Sequence, residues 1–482
     1  MGEADNLGYL FLNRAQKHPE KTAILSSRRA VSYADLRGAV ITFAEHMREH
    51  GVTRQSCVAI DSDSAFIAIS SALAVALLGA RWVGASKVAL HRSALGITHV
   101  FWQSTKSRPS YFRGGQISRD WLRRPDGIEG KPSFLGNHSG DNVYYYADSS
   151  GSTGRTKFMP LTYVQYMSRM DMADGDVGRE DVVSVGFFRP TSSLGMRWRI
   201  AALLGGGTVV ESRDINRWRE AGVNEVYGSP TQLASWIRDE SPEEGELVSF
   251  LKLSGSKTSP ELLSHMRRYF ENIRVSYGST EAGRVCTRTL GVDDEYDGCL
   301  GPVAPGVEVE VVDESGTVLS AGLQGELRVR AGAMLNGYLD SPKAAARAFR
   351  GGWFYPGDLG VLSEDNQLTI LGRVNDQLNL GGVKLDATQI DHQIQSLPSI
   401  VDAVSFENTS ALGTEQLAVI VQAEEGADPK KLAEKIRAYC KKVLGAHVVP
   451  KELYFCDETP RNENGKPMRH KAMEMVIELS PL

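Results

Sequence analysis

The sequence predicts an α/β protein with partly parallel sheets and a small, separate α/β domain towards its carboxy-terminal end. Three observations carry that prediction. Strand-like and helix-like runs alternate over most of the 482 residues, the order that βαβ units produce. The short apolar run CVAI, residues 57–60, is followed at once by Ala65–Ala80, AFIAISSALAVALLGA, whose all-round apolar character marks a buried helix. Beyond about residue 400 the texture changes to two strands and one amphipathic helix. A chain of this length is enough for several hydrophobic cores, with a prior of two to four domains.

Each element follows from local chemistry. NVYYYA, residues 142–147, reads as an aromatic-rich strand. LTYVQYMSRM, residues 161–170, reads as a helix beginning after Thr162, with Tyr163, Met167 and Met170 on one face. Between them stands SSGSTGRTK, Ser149 to Lys157, which this reading puts between a strand and a helix. In the last part, VDAVSF and LAVIVQA read as strands. DPKKLAEKIRAYCKKVL reads as a helix capped by Asp428, with Pro429 at its first position and Leu432, Ile436, Tyr439 and Val443 facing inward. The small domain begins around Gly372 to Asp376, where LTILG gives way to the polar RVNDQ.

Composition narrows the function. The net charge is -5, without a basic block or aromatic-interleaved basic stripe, so nucleic acid is not an expected partner. The cysteines, Cys57, Cys286, Cys299, Cys440 and Cys456, lack paired spacing and signal neither a zinc site nor a disulfide framework. A cytoplasmic location fits them best. The first residues lack the basic and apolar regions of a secretory signal. Ala65–Ala80 is shorter than the ~20 residues a spanning helix needs, so no membrane span is expected.

SSGSTGRTK concentrates glycines, hydroxyls and two bases in nine positions. Successive glycines let backbone N–H groups converge on one point, and hydroxyls and lysine add donors, so the stretch suits an anion such as phosphate. It is not a Walker loop, because Gly151 and Gly154 are too close together and Lys157 comes too late. Taken alone, it reads equally well as a surface turn.

Further motifs decide between these readings. SSGSTGRTK (149–157), YGSTE (277–281), GGWFYPGD (351–358), GRVND (372–376) and PRNENGKPMR (460–469), with GVTRQSCVAI, YGSPT, GELRV and NGYL, occur in one order along the chain. In that order the chain resembles the adenylate-forming enzyme superfamily: acyl-CoA synthetases, aryl-CoA ligases and the adenylation domains of peptide synthetases. The resemblance implies a large amino-terminal adenylating domain of packed α/β subdomains, residues 1–374. It also implies a small mobile α/β domain, residues 375–482, rotating about a hinge at Asn375.

The resemblance further implies residue roles. Ser149, Ser150, Gly151, Ser152, Thr153, Gly154 and Lys157 would fold over the ATP phosphates. Glu281 would hold Mg²⁺, and Thr280 would donate to the α-phosphate. Gly255, Tyr277 and Gly278 would border the nucleotide, with Tyr277 against adenine. Asp358 would accept both ribose hydroxyls, supported by Arg373. Lys466 would bridge the substrate carboxylate and the α-phosphate. Gly381 and Gly382 would lie along a pantetheine arm, and Lys384 would reach substrate or phosphate. Read singly, Glu281 could cap a helix starting near Ala282, Asp358 and Gly357 could close a turn, and Lys466 could be a solvated loop lysine.

The chain also departs from the family pattern. Thr156 and Phe158 replace the usual proline and glycine at the exit of the loop, and LSGSK, Leu253 to Lys257, replaces a more glycine-rich turn. At the acyl gate the chain reads FFRPTSSLG, placing Phe188 and Arg189 in the expected acyl pocket. Arg189 could pair with a second carboxylate or a phenolate, or snorkel away from the cavity. The expected activity is ATP- and Mg²⁺-dependent ligation of a small carboxylic acid to coenzyme A through an acyl-AMP. The alternative acceptor is an acyl carrier protein's pantetheine or an amine. A P-loop hydrolase and a silent nucleotide-binding module are the readings from other classes.

Overall fold

The computed structural model describes residues 6–27, 29–84, 93–103, 112–122, 140–150, 156–171, 179–339, 341–374, 377–380, 383–409, 415–445, 448–462, 465–477 and 479–481. Two large sheets dominate the first half. One has six strands in the order Arg113–Gln116, His99–Trp102, Cys57–Asp61, Arg81–Gly84, Val143–Ser150 and Thr156–Thr162, all parallel except the last. The other has eight strands, with Gly283–Leu290, Phe270–Ser279, Val248–Ser254, Glu225–Gly228, Val183–Gly186, Thr208–Glu211, Thr22–Ser26 and Ala30–Ser32 side by side. Its two edge strands are antiparallel and its six inner strands parallel. The alternation in the sequence thus produces the partly parallel sheets it predicts.

The helix Ala65–Leu77 is buried at every position and capped by Ser64. It packs with Leu7–Lys17, Tyr33–Glu49 and Ser193–Gly205 in one core, which explains its lack of a polar face. No described helix is long and apolar enough to cross a membrane. A mainly antiparallel seven-stranded sheet follows, ending with Asp358–Leu362 and Gln367–Arg373. Beyond it lie the hairpin Gln377–Leu380 and Val383–Asp386 and a three-stranded sheet, Ile400–Thr409, Glu415–Ala423 and Glu452–Cys456. The helix Pro429–Val443, capped by Asp428, covers this last sheet and closes a core of its own.

Three local expectations are corrected. SSGSTGRTK does not lead directly into a helix. Val143–Ser150 and Thr156–Thr162 pair antiparallel, Ser149 opposite Lys157 and Ser150 opposite Thr156, and the helix Tyr163–Asp171 starts only after the second strand. Phe158 is accordingly a buried strand residue packed among Cys57, Ala59, Val83 and Tyr146, not part of a loop exit. Pro160 disguises that strand in the sequence, and it is tolerated because the strand is the sheet's edge. Second, Val443 is 50% exposed, and Cys440 takes the inward position beside Leu432, Ala433 and Ile436. The 100° step per residue keeps Val443 within about 20° of Leu432, so its exposure comes from its place as the last residue of the helix, beyond the end of the packed stripe. Third, no helix starts at Ala282. The chain turns back as the strand Gly283–Leu290.

Candidate active site

Parallel strands deliver their carboxyl ends to one edge of the eight-stranded sheet, at Gly186, Gly228, Ser254 and Ser279. The connection order reverses there. From Val183–Gly186 the chain goes to Thr208–Glu211 on one side, then crosses to Glu225–Gly228 on the other. A crevice outside the strand ends is the consequence of such a reversal. The sequence-predicted residues collect along it in three groups.

The first group surrounds Asp358. This residue opens its strand directly opposite Arg373 and is 5% exposed. Its Oδ1 lies 2.8 Å from Arg373 Nε, and its Oδ2 accepts from the Tyr277 hydroxyl at 2.5 Å. Arg373 also donates to the Pro356 carbonyl at 3.0 Å. Burial, then the Asp358 charge, pushes the Tyr277 phenol well up, so it stays protonated as a donor. Gly278 cannot carry a side chain, because a Cβ there would stand 2.3 Å from the Gly283 carbonyl across the turn.

The second group surrounds Glu281, whose carboxylate is largely buried and accepts from the Tyr338 hydroxyl at 2.8 Å. Lys157 Nζ stands 4.6 Å from the centre of the Tyr338 ring. Burial lowers the Lys157 proton affinity, the Glu281 charge opposes that, and Arg373 adds to it, so the two groups share one field. The backbone beneath is clamped by Arg169, which is 4% exposed. It donates to the carbonyls of Thr280 at 2.7 Å, Glu281 at 3.1 Å and Ala333 at 2.8 Å. Desolvation pushes the Arg169 guanidinium down to about 9, aided by Arg197 and opposed by Glu281. Sequence reading missed Arg169 and Tyr338. Tyr338 lay inside NGYL, and Arg169 was visible only as a charge beside the apolar Met170. Arg169→Met strands three carbonyls and is expected to destabilise the fold by roughly 3 kcal/mol, read as a lower thermal unfolding midpoint.

The third group brings in the carboxy-terminal domain. Asn462 and Lys466 close a turn through two 2.9 Å bonds, Asn462 N to the Lys466 carbonyl and Lys466 N to Asn462 Oδ1. Arg461 ties this turn to Asp402. Gly465 has φ +74°, and a Cβ there would stand 2.7 Å from Thr231 Cγ2. Thr231 lies in the first turn of the helix Pro230–Glu240, just after the strand end at Gly228. Half-buried Lys466 is therefore carried on a turn seated against the crevice. Gly255, at φ +101°, faces Ser229 from the neighbouring strand end.

Other expected residues stand apart or cannot be placed. Arg189 is 58% exposed, 3.6 Å from Asp63, while Phe188 packs against the first core. Gly151, Ser152, Thr153, Gly154, Asn375, Gly381 and Gly382, and the side chains of Ser149, Ser150, Thr156 and Lys384, lie outside the described residues. Among the described residues no three His, Cys, Asp or Glu converge as a metal cage. Glu281 suits Mg²⁺ in the mode where one carboxylate and substrate oxygens hold the ion.

The family profile described as AMP-binding enzyme matches residues 11–94 and 106–339, and the AMP-binding enzyme C-terminal domain matches 389–466. The chain belongs to the AMP-binding enzyme family. It is thereby a member of the adenylate-forming superfamily. This AMP-binding enzyme is 25% identical over 493 residues to the 2-succinylbenzoate–CoA ligase of Geobacillus sp. (strain WCH70), covering 96% of each chain. It is 25% identical to the oxalate–CoA ligase of Arabidopsis thaliana over 73% of this chain and 71% of that one. Several other curated relatives are matched over less than half their own length, among them an acetyl-coenzyme A synthetase of Bacillus subtilis at 47%. Among solved structures it shares the fold of the Bacillus subtilis o-succinylbenzoate CoA synthetase in complex with an acyl-adenylate, with TM-score 0.83, 20% identity and 96% and 97% of the two chains covered. It shares the fold of the Marinactinospora thermotolerans amide bond synthetase too, with TM-score 0.77, 22% identity and 98% and 99% covered.

Proposed function

We propose that this AMP-binding enzyme is an ATP- and Mg²⁺-dependent carboxylic acid:CoA ligase. It would form an acyl-AMP with release of pyrophosphate, then an acyl-CoA thioester. The observation that carries the reading is the convergence of Glu281, Asp358 and the Lys466 turn, from three distant parts of the chain, on one crevice. Asp358, already oriented by Tyr277 and Arg373, offers carboxylate oxygens to the ribose hydroxyls. Lys157 and residues 149–155 meet the phosphates. Mg²⁺ at Glu281 neutralises phosphate charge when bound, and Lys466 brings the second cation between the acid carboxylate and the α-phosphate. Gly255 and Gly278 border the nucleotide. The domains divide at 374/375, and rotation about Asn375 withdraws Lys466 and brings Gly381, Gly382 and Lys384 towards the thiol acceptor.

Two relatives matched over long stretches are named as CoA ligases of oxalate and 2-succinylbenzoate, which supports coenzyme A as acceptor. The similarity to bacitracin synthase 3 of Bacillus licheniformis, 24% over 95% of this chain, supports transfer to carrier-protein pantetheine as the second reading. The test is pyrophosphate release across short, long, aromatic and dicarboxylic acids, with and without coenzyme A, with products identified by mass. A CoA thioester is the expected product. Adenylate that persists despite coenzyme A would overturn the acceptor, and acid-independent release of orthophosphate would overturn the whole reading.

The depressed Lys157 supplies a pH prediction. Its charged form is disfavoured by burial, so it loses its proton at lower pH than a free lysine. The KM for ATP is expected to rise on the alkaline side, below the ordinary lysine range, and Lys157→Arg is expected to flatten that rise. A KM profile identical in the two proteins would contradict it.

A further inference from the structure

The helix Ser193–Gly205 starts where the strand Val183–Gly186 has delivered the chain to the crevice, and Ser192 caps it. One turn in, it carries three residues of different fate. Trp198 stacks on Tyr227, 4.7 Å between rings. Arg199 is buried, its Nη1 donating to the carbonyls of Gly195 at 2.8 Å and Phe188 at 3.2 Å while its Nε has no partner. Arg197 is partly exposed, and no hydrogen bond or ion pair joins it to any of the described residues.

Two further side chains that carry unmatched hydrogen-bonding groups share the field of Arg197. Tyr166 is 2% exposed, and its buried hydroxyl has no hydrogen-bond partner, although it lies close enough to feel the Arg197 charge. Arg169 is a second cation in the same field. It spends its Nη atoms on Thr280, Glu281 and Ala333 carbonyls, while its Nε is buried without a partner. Desolvation penalises the charge on Arg197. Unmatched donors of this kind are costly unless a bound group supplies acceptors. An anion supplies them best, and a carboxylate matches a guanidinium fork bidentately. Because Arg169 joins this cluster to the backbone of Thr280 and Glu281, an anion held at Arg197 stands beside the reacting region rather than on a remote surface.

We propose that Arg197, backed by the Tyr166 hydroxyl, receives the second carboxylate of the acid, so that the substrate class is a dicarboxylic acid activated at its other carboxyl group. The inference rests on the ligase reading above and moves the anion-recognising role from Arg189, which faces Asp63, to Arg197. Arg197 is thereby a specificity residue, and it takes no part in the chemical step.

The experiment compares succinate, glutarate and phthalate with their mono-methyl esters, following acid-dependent pyrophosphate release by the full chain. At least one diacid is expected to exceed its half-ester in kcat/KM by on the order of 100-fold, because the ester leaves the donors unmatched. Arg197→Met is expected to erase that ratio, and Arg197→Lys to restore part of it, with ATP-induced thermal stabilisation reporting folded protein. The half-ester comparison needs no variant and stands even if Arg197→Met fails to fold. Half-esters or simple monoacids used as well as the diacids would overturn the dicarboxylate assignment and leave the ligase reading standing. A diacid preference that survives in folded Arg197→Met would overturn the role of Arg197. Absence of pyrophosphate release with every acid, although ATP still stabilises the protein, would overturn both.

Discussion

Lys466→Ala is expected to lower acid-dependent pyrophosphate release by about a thousandfold, while thioester formation from supplied acyl-AMP and coenzyme A stays within a few-fold of the parent. The asymmetry follows from the geometry. The lysine is carried on a turn made by its own backbone bonds to Asn462 and anchored by Arg461 on Asp402. Deleting the side chain leaves those contacts in place, so the small domain keeps its fold. The variant lacks only the cation that the turn presents where it meets Thr231. Two anions, the acid and the α-phosphate, then approach without that shield, and the loss falls on the first step. A comparable loss in both half-reactions would contradict the role given to Lys466.

Glu281→Gln is the second large effect. Glutamine keeps the volume and can still accept from the Tyr338 hydroxyl, and the Arg169 clamp on the Thr280 and Glu281 carbonyls is untouched. Thermal stability is therefore expected to change little. What disappears is the negative charge that faces Lys157 and suits a hard divalent cation. The Mg²⁺ concentration for half-maximal rate is expected to rise at least tenfold, and kcat/KM for ATP to fall about a hundredfold or more. A variant with unchanged Mg²⁺ dependence would place the metal elsewhere.

Elements whose signals are local were legible in the sequence. The apolar helix Ala65–Leu77 and the capped helix Pro429–Val443 could be read because caps and periodicity lie within a few residues of each other. The strand Thr156–Thr162 could not, because a proline argues against a strand unless the strand is known to be an edge, which is a property of the whole sheet. Ordered motifs named Glu281, Asp358, Arg373 and Lys466. What holds them in place depends on distant partners. Tyr277 reaches Asp358 across 81 positions, and Arg169 reaches Thr280 across 111. The arginines near the gate show the same limit. Sequence pattern marked Arg189, whereas the unpartnered Tyr166 hydroxyl marks Arg197 beside it, and that is not a property of residue spacing.

The most direct test of the central claim is exchange of labelled pyrophosphate into ATP, since only a reversible adenylation links those two pools. With Mg²⁺ and a panel of acids, the account predicts exchange that requires one of the acids, collapses in Lys466→Ala and needs no coenzyme A. Exchange without any acid, or its absence throughout the panel in protein that still binds ATP, would contradict it.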